Sequence, residues 1–294
     1  MLLAGRLALF AAFCLLPVIL LICPVHAAEV LIVGDVQYKP IADVVGEIKS
    51  AVKLPVSVCS TEDARGKLNS LVSREGARIV IALGKDAVDE AGNLPPSVPV
   101  IYGLVIAPVK SARSNMTGVY MATPVSEYVA MVRRYLPSMR KIAVVGSRTL
   151  MSILDGSESA QISAYRVNSS SELVNTVERL AECNAFLLLP DISLLTSSVM
   201  DNVYLYSYRS NIPLLGISEN NVKQGSLFAL VFDAAGIGRQ IGRMALQAKN
   251  GADIDEIQPL PPAEFNLFIN TNTARKMGIS IPEEMMKKAR RIYP

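Results

Sequence analysis

Six apolar runs, each ended by a small or acidic residue, are the feature that most constrains the fold of this chain. They occupy residues 30–33 before Gly34, 79–83 before Gly84, 98–102 before Gly103, 142–145 before Gly146, 186–189 before Pro190 and Asp191, and 212–215 before Gly216. A run of this kind is typical of a strand buried on both faces, as in a parallel sheet covered by helices. Because such sheets bind ligands at the carboxyl ends of their strands, the residues that end the runs are candidate functional residues.

Helical patterns separate these runs along most of the chain. In each pattern, apolar residues recur every three or four positions, as on one face of an amphipathic helix. The patterns cover 41–52, 64–73, 85–91, 125–135, 169–181, 195–207, 235–250, 271–277 and 282–292. The alternation of strands and helices predicts an α/β protein with right-handed crossover connections.

The alternation falls into two blocks, which predicts two lobes. A chain of 294 residues is long enough for two domains of ordinary size. We predict a first lobe at 28–120, joined by a segment at 258–294 that crosses back to it. The second lobe is predicted at 121–257.

Residues 1–27 have the pattern of a secretory signal peptide. Arg6 precedes a long apolar stretch, and the small residues Val25 and Ala27 stand at the −3 and −1 positions of a cleavage site. Such a leader predicts secretion across the inner membrane into the periplasm.

Two other interpretations of the leader stay open. An uncleaved membrane anchor would need a longer apolar stretch, and Pro17 interrupts this one. A lipoprotein would be acylated at Cys23, where the preceding residue, Ile22, is bulkier than lipid attachment prefers.

Removal of the leader limits the chemistry available to the rest of the chain. It takes away His26, the single histidine, and leaves only the cysteines Cys59 and Cys183. Histidine is the commonest general base and zinc ligand, so catalytic triads and histidine-bound metals are excluded. The net charge of +3 is spread along the chain without a basic stripe. We therefore predict no metal, no cofactor and no nucleic-acid partner.

Polar residues after the strands of the second lobe are candidate ligand contacts. Asp191 and Asp233 each follow an apolar strand and can accept hydrogen bonds from a ligand amine. Ser193 and Ser218, with backbone amides at a helix start, can receive a carboxylate. The alternative role for either aspartate is to cap the following helix.

Three further charged residues complete the candidate set. Glu219 follows Ser218, and Lys85 and Asp86 follow the strand at 79–83 in the first lobe. Lys85 and Asp86 either contact a ligand from that lobe or begin a solvated helix. A hydrolase would need two of the carboxylates close together, for example Glu219 and Asp233, and nothing in the sequence requires this.

A glycine pattern at Gly236, Gly238 and Gly242 follows an apolar strand and opens a helix. It resembles a dinucleotide fingerprint, in which glycines let the backbone approach a pyrophosphate. The spacing is GxGxxxG instead of GxGxxG, however, and it lies near the end of the chain. The glycines are better explained by close packing of this helix on the sheet, although a nucleotide-dependent enzyme remains an alternative.

Residues 212–233 resemble the second lobe of bacterial ABC transporter substrate-binding proteins. The segments 117–119, 189–191, 238–245 and 270–282 fit the same pattern. The subfamily resembled includes binders of tryptophan and of other aromatic or branched amino acids. The resemblance implies an α/β fold of two Rossmann-like lobes with parallel sheets, the type I periplasmic-binding architecture.

The resemblance also implies a function. The residues matching Asp191, Ser218 and Asp233 lie at the ligand cleft in that family, with Glu219 as a weaker candidate. We therefore expect a monomeric solute-binding protein of an ABC importer, not an enzyme. It would hold an amino-acid-like small molecule between its lobes by hinge closure and deliver it to a permease.

Two departures from the family pattern leave a second interpretation open. Residues 102–108 are apolar where the family tends to have Asp-Pro, and the helix after Val145 is short, with Arg148 and Thr149 at its start. A secreted scaffold or sensor of the same fold that has lost small-molecule binding would also fit these features.

Overall fold

The computed structural model describes residues 28–109, 115–154 and 161–294, with the side chains of 152 and 153 left aside. The predicted leader at 1–27 lies outside these residues. The strands are β1 Val30–Val33, β2 Val56–Cys59, β3 Ile79–Leu83, β4 Val100–Val105, β5 Met116–Tyr120, β6 Ile142–Ser147, β7 Ile162–Val167, β8 Ala185–Leu188, β9 Leu214–Leu215, β10 Phe228–Phe232, β11 Phe265–Asn270 and β12 Ala289–Tyr293.

Eleven α-helices are found within the described residues. They are α1 Lys39–Val52, α2 Thr61–Ala64, α3 Leu68–Glu75, α4 Lys85–Ala91, α5 Val125–Tyr135, α6 Ser170–Val177, α7 Ser197–Ser210, α8 Glu219–Gln224, α9 Ala234–Lys249, α10 Thr271–Lys276 and α11 Glu283–Lys288. Two 3₁₀ turns occupy Leu150–Leu154 and Ile254–Glu256.

Two layered α/β lobes account for these elements. The sheet of the first lobe is parallel, in the order β2-β1-β3-β4-β5. The sheet of the second lobe is also parallel, in the order β7-β6-β8-β9. A bridge between Gly216 and Ala229 connects it to a three-stranded sheet, β10-β11-β12. The predicted α/β class and parallel sheets are confirmed.

The interior strands are those that the sequence predicted best. Every residue of β1, β3, β4 and β8 is buried, because helices cover both faces of the sheet. The edge strands β2 and β7 are only partly buried and carry polar residues, so they form no continuous apolar run and were missed. Residues 282–292, predicted as one helix, divide into α11 and β12 because the last five residues pair with β11.

Helix α9 lies in the first lobe, not in the second as the boundary at 257 implied. Its Ile237 and Ile241 pack in the same buried cluster as Val44 and Ile48 of α1. The sequence could not show this contact, because α9 follows a strand of the second lobe and α1 lies almost 200 residues earlier in the chain.

The predicted return of 258–294 to the first lobe is correspondingly wrong for most of its length. Leu260 does pair with Val119 of β5. Beyond it, β11 pairs with β10 in antiparallel orientation and β12 extends that sheet, so both belong with the second lobe.

Three chain segments cross between the lobes. They are 121–124 after β5, 232–233 after β10 and 261–264 before β11. The Asp233 amide of the second crossing donates to the Glu264 carbonyl of the third (3.0 Å), and the Thr123 hydroxyl of the first crossing donates to the Leu230 carbonyl of β10, which leads into the second (3.0 Å). The crossings therefore form one hydrogen-bonded group beside the strand ends of the second lobe.

Candidate functional site

An apolar cavity lies where the crossings meet the carboxyl ends of the strands. Its volume is about 100 Å³. It is lined by Ile106, Met121, Ala122, Thr123, Tyr128, Leu187, Leu189, Pro190, Ile217 and Phe232. Residues of both lobes and of two crossings line this cavity, which we call the apolar floor.

Tyr128 fixes the second-lobe side of this floor. Its hydroxyl is fully buried and donates to the carbonyls of Gly216 (2.8 Å) and Leu230 (3.2 Å), while its ring stacks on Phe228. Burial raises the pKa of this phenol far above its usual range. Tyr128 is therefore neutral and holds α5 against β9 and β10.

Asp191 stands at the carboxyl end of β8, beside this floor. Its Oδ1 accepts hydrogen bonds from the hydroxyl of Ser193 (2.6 Å) and from the Ser193 amide (3.0 Å). Desolvation opposes ionisation, but hydrogen bonds from Ser147 and Ser193 outweigh it and lower the pKa of the carboxyl. No helix begins here, since α7 starts at Ser197, so Asp191 caps a turn instead of the helix that was the alternative explanation.

Ser147 is a candidate residue that the sequence predictions left out. It ends β6, the strand next to β8, and its hydroxyl helps to lower the pKa of the Asp191 carboxyl. The apolar run at 142–145 ends at Gly146 and Ser147, so Ser147 stands at a strand end like the other candidates. Only the pairing of β6 with β8 brings its hydroxyl towards Asp191.

Ser218 and Glu219 both serve the fold around α8. The Ser218 hydroxyl accepts from the Asn221 amide and caps the helix (3.1 Å). Glu219 accepts hydrogen bonds from Tyr293 and from Arg291 of β12 (3.0 Å). The bond from Tyr293, aided by Lys223 and Arg291, lowers the pKa of the Glu219 carboxyl.

Asp233 is engaged on both carboxylate oxygens by its own chain. Oδ2 accepts from the Gly236 amide (2.8 Å) and so caps α9, as the alternative explanation had it. Oδ1 accepts from the side-chain amide of Asn266 (3.2 Å). Arg239 lies 3.6 Å from Oδ2 and Arg290 lies 3.8 Å from Oδ1. The aspartate therefore ties α9 to β11 and β12 at the second crossing.

The structure separates the candidate residues into two groups. Asp233 and Glu219 line a second and larger cavity of about 600 Å³, bounded by Asp43 and Glu47 of α1 and by Arg290 and Arg291 of β12. Asp191 is not among the residues that line it. Glu219 and Asp233 each have partners within the protein, Arg291 for Glu219 and the Gly236 amide with Arg239 for Asp233.

Lys85 and Asp86 begin α4, at the carboxyl end of β3 in the first lobe. Both are exposed, and Lys85 forms an ion pair with Asp89 one turn along the helix. They stand at a strand end but do not line the apolar floor.

The glycine pattern of α9 is explained by helix packing. A Cβ on Gly238 would lie 2.8 Å from the Val44 carbonyl oxygen, and one on Gly242 would lie 2.5 Å from the Ala51 Cβ. Both glycines thus let α9 approach α1 closely. Gly103, one of the predicted strand stops, likewise lies inside β4, where a Cβ would meet Ile241 at 2.4 Å.

Three further observations concern metal sites, membrane-spanning helices and cysteines among the described residues. Within 28–109, 115–154 and 161–294, no set of histidine, cysteine and acidic side chains is arranged to hold a metal ion. Over the same ranges, no helix is both long enough and apolar enough to cross a membrane. Cys59 and Cys183 are free thiols.

A comparison with known families decides the class of this site. The model of a family described as ABC transporter substrate binding protein matches residues 96–293. The chain belongs to this family. The membership predicted from residues 212–233 is therefore confirmed. The substrate-binding family consists of solute-binding proteins, which act outside the cytoplasm and work with an ABC permease.

A curated relative of this substrate-binding protein is the "Tyrosine-binding protein" of Clostridioides difficile (strain R20291). The two are 21% identical over 218 residues, which is 68% of this chain. The match spans 63% of the length of the relative, a little under two thirds.

Solved structures support the type I fold of this substrate-binding protein. An ABC domain from Streptococcus pneumonia in complex with L-Trp matches with a TM-score of 0.57 at 18% identity. A ligand-free, open substrate-binding protein with adhesive properties from Clostridium difficile matches with a TM-score of 0.66 at 13% identity. Each match covers 90% of this chain and 99% of the other. At these identities the likeness concerns the fold alone.

The two departures from the family pattern have structural counterparts in this substrate-binding protein. The apolar segment at 102–108 continues β4 and brings Ile106 into the apolar floor. After β6, the chain forms only the 3₁₀ turn Leu150–Leu154, and residues 155–160 lie outside the described part.

Proposed function

We propose that this protein is the periplasmic solute-binding subunit of an ABC importer and that its ligand is an amino acid with an apolar or aromatic side chain. The observation that carries the proposal is the apolar floor beside one ionised carboxylate, Asp191. An α-ammonium group and an apolar side chain are complementary to these two surfaces. The leader at 1–27 supports the periplasmic location.

In the proposed mode of binding, Asp191 accepts hydrogen bonds from the ligand ammonium. Ser193 and Ser147 keep this carboxylate ionised and oriented. Ser218 and Ser193 stand near the strand ends where a ligand carboxylate would be received. Lys85 and Asp86 would contact the ligand from the first lobe once the cleft closes. The names of the tyrosine-binding relative and of the tryptophan-bound structure support an aromatic ligand.

The proposed mechanism is closure of the two lobes about the three crossings. A ligand that contacts both lobes binds the closed form more tightly, and it therefore shifts the open–closed equilibrium by that difference in affinity. In this proposal the protein is a monomer, and its closed form with bound ligand is the form that the permease recognises.

Thermal unfolding of the purified protein with added ligands tests the proposal. L-Tyrosine, L-tryptophan, L-phenylalanine and L-leucine should raise the melting temperature, while L-alanine and D-glucose should not. Asp191→Asn should markedly reduce the shift at the same ligand concentration, with little change in the unliganded melting temperature. A protein that responds to none of these amino acids would instead be a scaffold or sensor, and the proposal would be wrong.

A further inference from the structure

Three exposed apolar side chains lie at the carboxyl ends of strands. Val36 is 48% exposed, Tyr38 is 59% exposed and Ile192 is 81% exposed. Other exposed large apolar side chains of the described residues lie elsewhere, on the edge strands, on the outer helix α7 or just before the third crossing: Tyr165, Leu205, Tyr208, Leu260 and Ile292. Single exposed apolar residues are normal on any surface, so their position at the ligand edge is what sets these three apart.

The topology places these side chains at the carboxyl edges of the two parallel sheets. Val36 and Tyr38 lie in the turn between β1 and α1, and β1 is an interior strand between β2 and β3. Ile192 lies in the turn after β8, an interior strand between β6 and β9. Both turns leave the carboxyl ends of central parallel strands, where such sheets place their ligands.

Hydrogen bonds fix the backbone conformation of both turns. The exposed side chains therefore extend from an ordered backbone. In the first lobe, the Tyr38 amide donates to the Asp35 carbonyl (3.0 Å), and the Asp35 carboxylate accepts from the Thr61 amide (2.9 Å). In the second lobe, Ile192 stands between Asp191 and Ser193, which bond to each other. Ile192 is therefore adjacent in sequence to the proposed ammonium site.

We infer that Tyr38 with Val36 on one lobe and Ile192 on the other are two halves of a clamp for the side chain of the bound amino acid. This inference rests on the proposed function and adds the residues that determine specificity. The Tyr38 ring offers an aromatic ligand an edge-to-face or offset-stacked contact, and Ile192 covers the opposite side. Because each half belongs to a different lobe, the side chain loses contact with water on both sides only when the lobes close.

A fluorescence experiment tests the placement of Tyr38. The sequence contains no tryptophan, so Tyr38→Trp introduces a single reporter whose emission can be excited apart from tyrosine. Addition of L-phenylalanine should shift this emission to shorter wavelength, since the indole loses water as the clamp closes. The matched control is Tyr165→Trp, at a 39% exposed position on β7, whose emission should not change. Equal shifts in both variants, or none in Tyr38→Trp when the wild type binds, would overturn the inference.

Calorimetric titration with L-phenylalanine and L-tyrosine tests specificity. Tyr38→Ala and Ile192→Ala should each weaken binding about tenfold, as expected when a central aromatic or aliphatic contact is truncated. Leu205→Ala, at an exposed position on α7, should leave affinity within about twofold. Wild-type affinity retained in both cleft variants would refute the clamp while leaving the proposed function intact. A wild type that binds neither amino acid would refute the proposed function, and the clamp with it.

Discussion

At the scale of single residues, the candidate carboxylates differ in how much their own chain uses them. Asp233 accepts hydrogen bonds from a helix amide and a side-chain amide and lies near two arginines. Its carboxylate therefore stabilises the second crossing. Asp191 accepts hydrogen bonds from Ser193, and no arginine or lysine forms an ion pair with it among the described residues. A small cationic group on a ligand therefore finds an ionised partner more readily at Asp191.

The pH dependence of ligand binding should report the state of Asp191. Its pKa lies below the ordinary value of 3.8, so the carboxylate is ionised throughout the range from pH 8 to pH 5. Affinity for L-tyrosine, measured by calorimetry, should therefore be constant over this range. It should weaken only as the pH falls through the depressed pKa, where the carboxyl gains a proton.

Variants of the same group sharpen this test. Asp191→Asn should weaken binding of L-tyrosine about 10- to 100-fold between pH 8 and pH 5, where the wild-type carboxylate is ionised, because a hydrogen bond to a charged group contributes about 1.5–3 kcal/mol. Ser193→Ala removes one of the bonds that lower the pKa, so the loss of binding should move to higher pH. A wild-type midpoint between pH 5 and pH 8 would mean that another group controls binding.

At the scale of secondary-structure elements, the contact between α1 and α9 depends on small residues. Gly238→Ala should lower the free energy of unfolding by about 1–3 kcal/mol, because the new methyl group would meet the backbone of Val44 and the side chain of Glu47. Urea denaturation measures the difference.

Gly46, on α1, provides the matched control for that substitution. Nothing lies within 4 Å of the position that its Cβ would take. Gly46→Ala should therefore raise the free energy of unfolding by about 0.5–1 kcal/mol through helix propensity alone. Equal effects of the two substitutions would contradict the close approach of α9 to α1.

Secondary structure was predictable from sequence where burial made the pattern uniform. The residues of β1, β3 and β8 are buried on both faces and were found as continuous apolar runs. The strand β12 was not, since Arg290 and Arg291 are exposed and the segment is extended only because β11 pairs with it. A local pattern of apolar and polar residues does not show that a segment pairs with a strand about 20 residues earlier in the chain.

The candidate site was predictable to a similar degree. Asp191 was found because it ends an interior strand, whereas Ser147 and the apolar floor around Phe232 depend on which strands and crossings are neighbours in space. Asp233 was ambiguous from sequence, because a strand end followed by a helix start fits both a ligand contact and a cap.

At the scale of the whole molecule, the third crossing is fastened to α9 by one buried amide. The Gln240 side chain donates to the Pro261 carbonyl (3.0 Å) and accepts from the Ala263 amide (2.9 Å). Gln240→Met keeps the size and helix propensity but leaves both backbone groups without these partners. We expect the free energy of unfolding to fall by about 2 kcal/mol in urea denaturation.

Gln247, an exposed residue of the same helix, is the control for this substitution. Gln247→Met should change stability by no more than about 0.5 kcal/mol. If Gln240→Met proved equally mild, the amide would not be holding the crossing to α9, and the three crossings would be less tightly coupled than their hydrogen bonds imply.

The return of α9 to the first lobe also sets an order of events during biosynthesis. The hydrophobic face of α1, with Val44 and Ile48, is covered by a helix that begins only at Ala234. A growing chain that ends before that point leaves this face open to water, and closing so long a loop is slow. We therefore expect the first half of the polypeptide to stay incompletely folded until α9 has been made.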